Sequence, residues 1–159
     1  MRIVLICVGR LKLGPEKDLF DRYCHRLIAI GRQCGIHGLD IREIDESRAR
    51  RPQDRRGEEW RSIENVLPKG GLCYIWDERG QTLNSDQFAT NLVKIRDSES
   101  PVAFVVGGPD GLSEHGRTIA DQLISFGAMT LPHQLVRVLI VEQLYRAATL
   151  LTGHPYHRG

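Results

Sequence analysis

Lysine is scarce in this 159-residue chain: Lys12, Lys17, Lys69 and Lys94 are the only ones among 22 basic side chains, and all the others are arginines. Guanidinium forms paired bonds with phosphate and stacks on bases, whereas an ammonium acts as a point charge. The bias therefore fits nucleic-acid partners and ordinary surface charge equally well over the whole chain. No apolar run reaches transmembrane length and no short apolar stretch leads to a cleavage site, which predicts a cytoplasmic protein with no membrane partner. There is no C-x-x-C pair. The four cysteines, Cys7, Cys24, Cys34 and Cys73, are scattered, as buried reduced thiols would be. Also missing are internal repeats, low-complexity segments, the G-x-x-x-x-G-K-[ST] phosphate loop and the G-x-G-x-x-G dinucleotide fingerprint.

What is present suits one domain spanning residues 1–159, because 41% hydrophobic residues in a chain of this length supply one sizeable core. Buried strands are predicted at 3–8, 39–44, 72–76 and 102–106, with a short one at 128–131. Helices are predicted from Pro15 to Gly31, over 58–67, from an N-cap at Ser85 through Ile95, from Ser113 to about residue 124, and over 134–151. This alternation predicts an α/β protein with a mostly parallel sheet. The final helix is apolar nearly all the way round, so it needs cover on more than one side, and a second copy of the chain is the natural cover.

Three stretches carry candidate chemistry. Residues 107–113, Gly-Gly-Pro-Asp-Gly-Leu-Ser, follow a buried strand and precede a helix, where glycines let backbone N–H groups approach a nucleotide-like ligand. Residues 127–133 form a second glycine-to-proline loop. The chain closes on His154-Pro155-Tyr156-His157-Arg158, an unusual concentration of imidazole, phenol and guanidinium for a terminus. Pro155 keeps His154 and His157 off one helix face and no Cys or acidic residue adjoins, so no metal centre is predicted. Arg48, Arg50, Arg51, Arg55 and Arg56 make one local basic block that reads as a loop able to track a phosphate backbone. Arg137, Glu142 and Arg146 punctuate the last helix, and the latter two are spaced for an ion pair.

The run Val105-Val106-Gly107-Gly108-Pro109-Asp110-Gly111-Leu112-Ser113, the segments Met129-Thr130-Leu131-Pro132-His133-Gln134-Leu135-Val136-Arg137 and Glu142-Gln143-Leu144-Tyr145-Arg146-Ala147, and the His154 to Arg158 tail resemble the RlmH family of SPOUT-class ribosomal RNA methyltransferases. The likeness covers nearly the whole chain and is most specific in the last third. The Arg48 to Arg56 stretch falls outside it.

That resemblance implies an α/β-knot fold with a C-terminal trefoil knot, which pattern reading alone would not reach. It also implies a homodimer that transfers a methyl group from S-adenosylmethionine to N3 of a pseudouridine in large-subunit (23S) ribosomal RNA, acting on the assembled ribosome. The implied cofactor residues are Trp76, Gly108, Gly127, Ala128, Met129, Thr130, Leu131 and Pro132. Trp76 stands where relatives often carry an aliphatic residue, and Gly127 replaces a small polar one. Transfer from a sulfonium needs alignment more than acid–base help, yet the imide N3–H must lose a proton. His157 or Tyr156 is placed to accept it and Arg158 to stabilise the anionic ring, so these three are the candidate catalytic residues. Arg50, Arg51, Arg55, Arg56 and Arg137 are the candidate RNA contacts. Two competing readings are a non-enzymatic ribosome-binding factor and a nucleotide-binding oxidoreductase.

Overall fold

The β-branched and aromatic runs form strands β1 (Arg2–Val8), β2 (Gly38–Ile44), β3 (Leu72–Thr82), β4 (Val102–Val106) and β5 (Gln122–Ser125). Between and after them lie helices α1 (Pro15–Gly31), α2 (Pro52–Glu64), α3 (Ser85–Asp97), α4 (Glu114–Ile119) and α5 (His133–Thr152), then a 3-10 turn at Pro155–His157. The computed structural model describes residues 1–157, and side chains as far as Tyr156. The strand order is β2-β1-β4-β3-β5, and every neighbouring pair runs parallel.

Alternation along the strands sorts the core into two layers. Ile3, Leu5, Cys7, Phe104 and Trp76 face α1, α3 and α5, whereas Val4, Ile6, Val8, Ala103 and Ile75 face Trp60 and Ile63 of α2. With both faces covered, β4 is buried at every residue, and its sequence is accordingly continuous in apolar side chains. The register sets Cys7 and Trp76 opposite Val106, and Ile124 opposite Trp76. β1, β4 and β5 therefore end near one level, beside Trp76 of β3, and the segments after them leave at the carboxyl edge, where open α/β sheets place ligands. Among the described residues no helix is long and apolar enough to cross a membrane.

Four predicted elements shift. The helix expected over 58–67 begins at Pro52, whose fixed φ suits a first turn, so Arg55 and Arg56 are helical and not part of a loop. The cap of α3 is Asn84, which exchanges reciprocal bonds with Gln87 at 2.8 and 2.9 Å, and not Ser85. Strand β3 continues past Trp76 to Thr82, with a register shift between Trp76 and Gln81; Gly80 is needed there because a Cβ would come within 2.7 Å of Ile124 Cα. The strand expected at 128–131 is a loop, and the fifth strand instead occupies 122–125, read from sequence as the end of α4. Asp121 accounts for this. Its carboxylate accepts the Cys73 N–H at 2.7 Å and its own N–H reaches the Cys73 carbonyl at 2.8 Å, which stops the helix and docks the chain beside β3.

Gly116 of α4 lies against the Trp60 ring, where a Cβ would sit within 2.7 Å of Cδ2 and Cζ3. Overpacking of this kind costs about 1–3 kcal/mol. Gly116→Ala should lower the urea midpoint by that amount of stability with an unchanged m-value; an unchanged midpoint would show that the ring can move aside.

Candidate active site

The loops leaving the level strand ends enclose a cavity of about 530 Å³, a size suited to a small-molecule ligand. One wall is the turn after β4, in which Gly111, at φ 76°, donates its N–H to the Gly108 carbonyl at 2.9 Å. The facing wall follows β5. There Gly127 adopts φ 123° while its N–H and carbonyl both bond the Ser125 hydroxyl at 3.0 Å. A Cβ at Gly127 would meet nothing within 4 Å, so this wall stands open. Between the walls lies Trp76, stacked on Phe126 at 4.1 Å and edge-on to Phe88 at 5.7 Å. The Trp76 Nε1 is buried and has no hydrogen-bond partner among the described residues.

Of the eight residues assigned to the cofactor, all but Ala128 line this cavity; Ala128 is exposed beside it. Sequence reading missed Asp77, Arg117, Phe126 and His133, which line it too. Asp77 binds Arg117 Nε at 2.8 Å with both side chains largely buried, and Arg117 also reaches Glu114 at 2.7 Å. Asp110 is gripped by Arg55 through two bonds, at 2.6 and 3.0 Å, and that contact holds its carboxyl below the usual range. Burial, reinforced by the charge of Arg137, lowers the pKa of His133, so its imidazole is uncharged at neutral pH. The one arginine on the described lining, Arg117, is thus already paired. A polyphosphate would find no free arginine on the described lining.

Beneath the Gly108 turn lies Glu59, 3% exposed. Its Oε1 accepts the Ser47 N–H at 2.9 Å, Oε2 has no partner among the described residues, and burial pushes its pKa up. A Cβ at Gly108 would come within 2.9 Å of Val8 Cγ1 and 3.5 Å of this Oε2, so the glycine serves close packing there.

The candidate RNA contacts separate. Arg50 and Arg51 are exposed at the entry to α2, whereas Arg55 is committed to Asp110 and to the carbonyls of Ala49 and Arg50, and Arg56 reaches the Asp110 carbonyl at 3.4 Å. Arg137 is a correction. It is 1% exposed, and its guanidinium bonds Glu43 at 3.0 Å and the carbonyls of Val8 and Gly9 at 3.0 and 3.1 Å, so it is a buried strut without access to RNA.

In the tail, Tyr156 is half-buried against α1 and α5 and does not line the cavity. Burial first, then its bonds to Tyr23 and Glu142, raise its pKa well above the ordinary phenol value, which keeps the hydroxyl protonated at neutral pH. The His157 side chain and Arg158 lie outside the described residues.

Residues 1–157 match the family described as predicted SPOUT methyltransferase. The chain belongs to the SPOUT methyltransferases. Within that family it is 51% identical to a ribosomal RNA large subunit methyltransferase H of Rhodopseudomonas palustris (strain HaA2) and 50% to one of Nitrobacter hamburgensis, in each case over all of both chains. It is also 51% identical to one of Methylobacterium radiotolerans, over all of this chain and 98% of the relative. Among solved structures, the SpoU methyltransferase AviRb of Streptomyces viridochromogenes, in complex with AdoMet, aligns at 18% identity and a TM-score of 0.41, over 91% of this chain and 56% of that one.

The two tryptophans occupy different layers, Trp76 at the cavity and Trp60 under α4. Titration with S-adenosylmethionine should therefore change the emission of Trp76 alone. The change should disappear in Trp76→Phe, which keeps Trp60; a change retained in that variant would place the ligand elsewhere.

Proposed function

We propose that this SPOUT methyltransferase uses S-adenosylmethionine to methylate N3 of a pseudouridine in large-subunit ribosomal RNA, as a homodimer acting on assembled ribosomes in the cytoplasm. The observation that carries the reading is the cavity at the strand ends, bounded by the two loops that also bear the sequence likeness to the large-subunit methyltransferases. A bound S-adenosylmethionine would supply an activated methyl group there. The residues suit it: the Trp76 and Phe126 rings offer an apolar flank, the unpartnered Nε1 offers a donor, and the open backbone at Gly127 admits close approach. The described lining carries the carboxylates of Asp77, Glu78 and Asp110, its one arginine is paired with Asp77, and His133 is uncharged, so no unpaired cation on it opposes a sulfonium.

In the same reading residues 1–159 form one domain, and the chain that crosses from β5 to the end of β1, where Arg137 is bound, threads the loop after β4 to make the knot. The exposed Leu135, Leu139 and Leu151 of α5 and Leu19 and Ile28 of α1 support packing of a second copy on that face. Tyr156 lies on the same two helices, so the tail and the cavity would meet across the pair. His157 accepts the N3 proton and Arg158 steadies the anionic ring.

Ribosomal RNA from cells lacking the gene should lose one methyl group by mass spectrometry and regain it on incubation of the ribosomes with the dimeric protein and S-adenosylmethionine. His157→Ala should lower the rate by a factor of about 10² to 10⁴, with partial recovery at higher pH where the imide ionises unaided; Arg158→Ala should show no such recovery. Ribosome binding with no methylation under any condition would favour the binding-factor reading.

Of the candidate RNA arginines in the basic block, Arg50 and Arg51 are the exposed ones, Arg51 lying 3.6 Å from Asp54. Replacing both with Gln should reduce the salt slope of ribosome binding by about one per lost phosphate contact and leave cofactor affinity intact. Arg55→Gln should instead weaken cofactor binding, because it frees Asp110 in the cavity wall. A salt slope unchanged by the double replacement would remove these two from the RNA surface.

A further inference from the structure

Tyr156 is held by two helices at once. Its hydroxyl donates to Glu142 Oε1 of α5 at 3.1 Å, and the Tyr23 hydroxyl of α1 lies 3.1 Å away. A phenol carries one proton, so with that of Tyr156 given to Glu142, Tyr23 must be the donor in the other bond. The proton order is thereby fixed, from Tyr23 to Tyr156 to the Glu142 carboxylate.

Glu142 is itself oriented from both sides. Its Oε1 also accepts from Arg146 Nε and Nη2 at 2.9 and 2.7 Å, and its Oε2 accepts from Gln143 Nε2 at 2.6 Å. Gln143 in turn accepts from the Ser85 hydroxyl at the start of α3, at 2.9 Å. Around the phenol, the Tyr145 ring packs at 4.7 Å and the Arg146 guanidinium lies 4.9 Å from the ring centre. A tail that merely covered apolar surface would need the ring contacts and none of this ordered polar chain, whose carboxylate is largely buried and fully engaged.

We propose that Glu142 is a positioning residue for methyl transfer: acting through Tyr156, and with Tyr23 closing the other side, it fixes the backbone that leads into His157. The proposal rests on the reading that this tail acts on the substrate. Neither Glu142 nor Tyr23 lines the cavity of its own chain, and both reach the tail through the Tyr156 hydroxyl. His157 is bonded directly to the anchored residue, and a misplacement of about 1 Å at a reacting group can cost about 10²-fold in rate.

The test compares Tyr23→Phe, Glu142→Gln and Tyr156→Phe, singly and in pairs, in single-turnover methylation of ribosomes at saturating S-adenosylmethionine. Each single variant should lose roughly tenfold or more in kcat, with cofactor affinity and the dimer unchanged. In the Tyr156→Phe background, neither Tyr23→Phe nor Glu142→Gln should reduce kcat further, since the path they act through is already cut. The pH at which the rate is half-maximal should stay at its parental value, because the proton acceptor remains in place. Tyr23→Phe removes one oxygen from a partly exposed position, so it keeps the test valid even if Glu142→Gln folds poorly. Additive losses in the double variants, or parental kcat in Tyr23→Phe and Glu142→Gln, would overturn the proposal. If those two were silent while His157→Ala and Arg158→Ala were slow, positioning alone would fail; if all were silent, the catalytic reading of the tail itself would fall.

Discussion

A buried guanidinium holds the functional end of this sheet together. Arg137 sits one turn into α5, and its contacts close the carboxyl ends of β1 and β2: two carbonyls at Val8 and Gly9, and the Glu43 carboxylate. Taking such a charge out of water is expensive, and it is tolerated because the partners are complete on one side. Its Nε remains without a partner among the described residues. Because the strut is only four residues from His133, it also fixes the loop that delivers Gly127 to Pro132 to the cavity. The two walls face each other because β4 neighbours β1 in the sheet and α5 is tied to the end of β1.

The helix that carries that strut serves two ends. Its first turn borders the cavity, while Glu142, nine residues on from His133 and hence about 14 Å along the axis, gathers the returning tail. Ligand chemistry and tail are thus separated along one rigid element within a chain. Two of the cavity's carboxylates show a similar economy: Asp77 and Asp110 are each matched by an arginine from another part of the chain, Arg117 and Arg55.

Much of this was readable in the residues. β4 and α1 fell at their predicted bounds because local signals agree there: five apolar residues in a row for a strand covered on both faces, and Pro15 opening a helix that ends at Gly31. The turn after β4 was visible as a glycine-rich segment, the second loop was read in part as a strand over 128–131, and the family likeness supplied their pairing. What escaped was set by long-range contact. The strand at 122–125 exists because Asp121 binds Cys73, 48 residues earlier. Arg55 and Arg56 looked like a free basic loop because Asp110, their acceptor, is about as distant in sequence. Arg137 could not be told from a surface arginine, since only the folded chain brings it against Val8 and Gly9. The Glu142–Arg146 spacing was legible, but not that a tyrosine would return to share the same carboxylate.

The outermost strands carry a further consequence. β5 is only four residues long, and β2 sets Asp40 and Arg42 in an exposed ion pair with Glu43 beside them, whereas the apolar strands β1 and β4 are enclosed in the middle. A parallel sheet with long bare flanks would be a template for adding strands from other molecules without limit. Here one flank is too short to extend and the other too charged to recruit a neighbour, so polymerisation through the sheet is blocked and any stable self-association is directed to the helices.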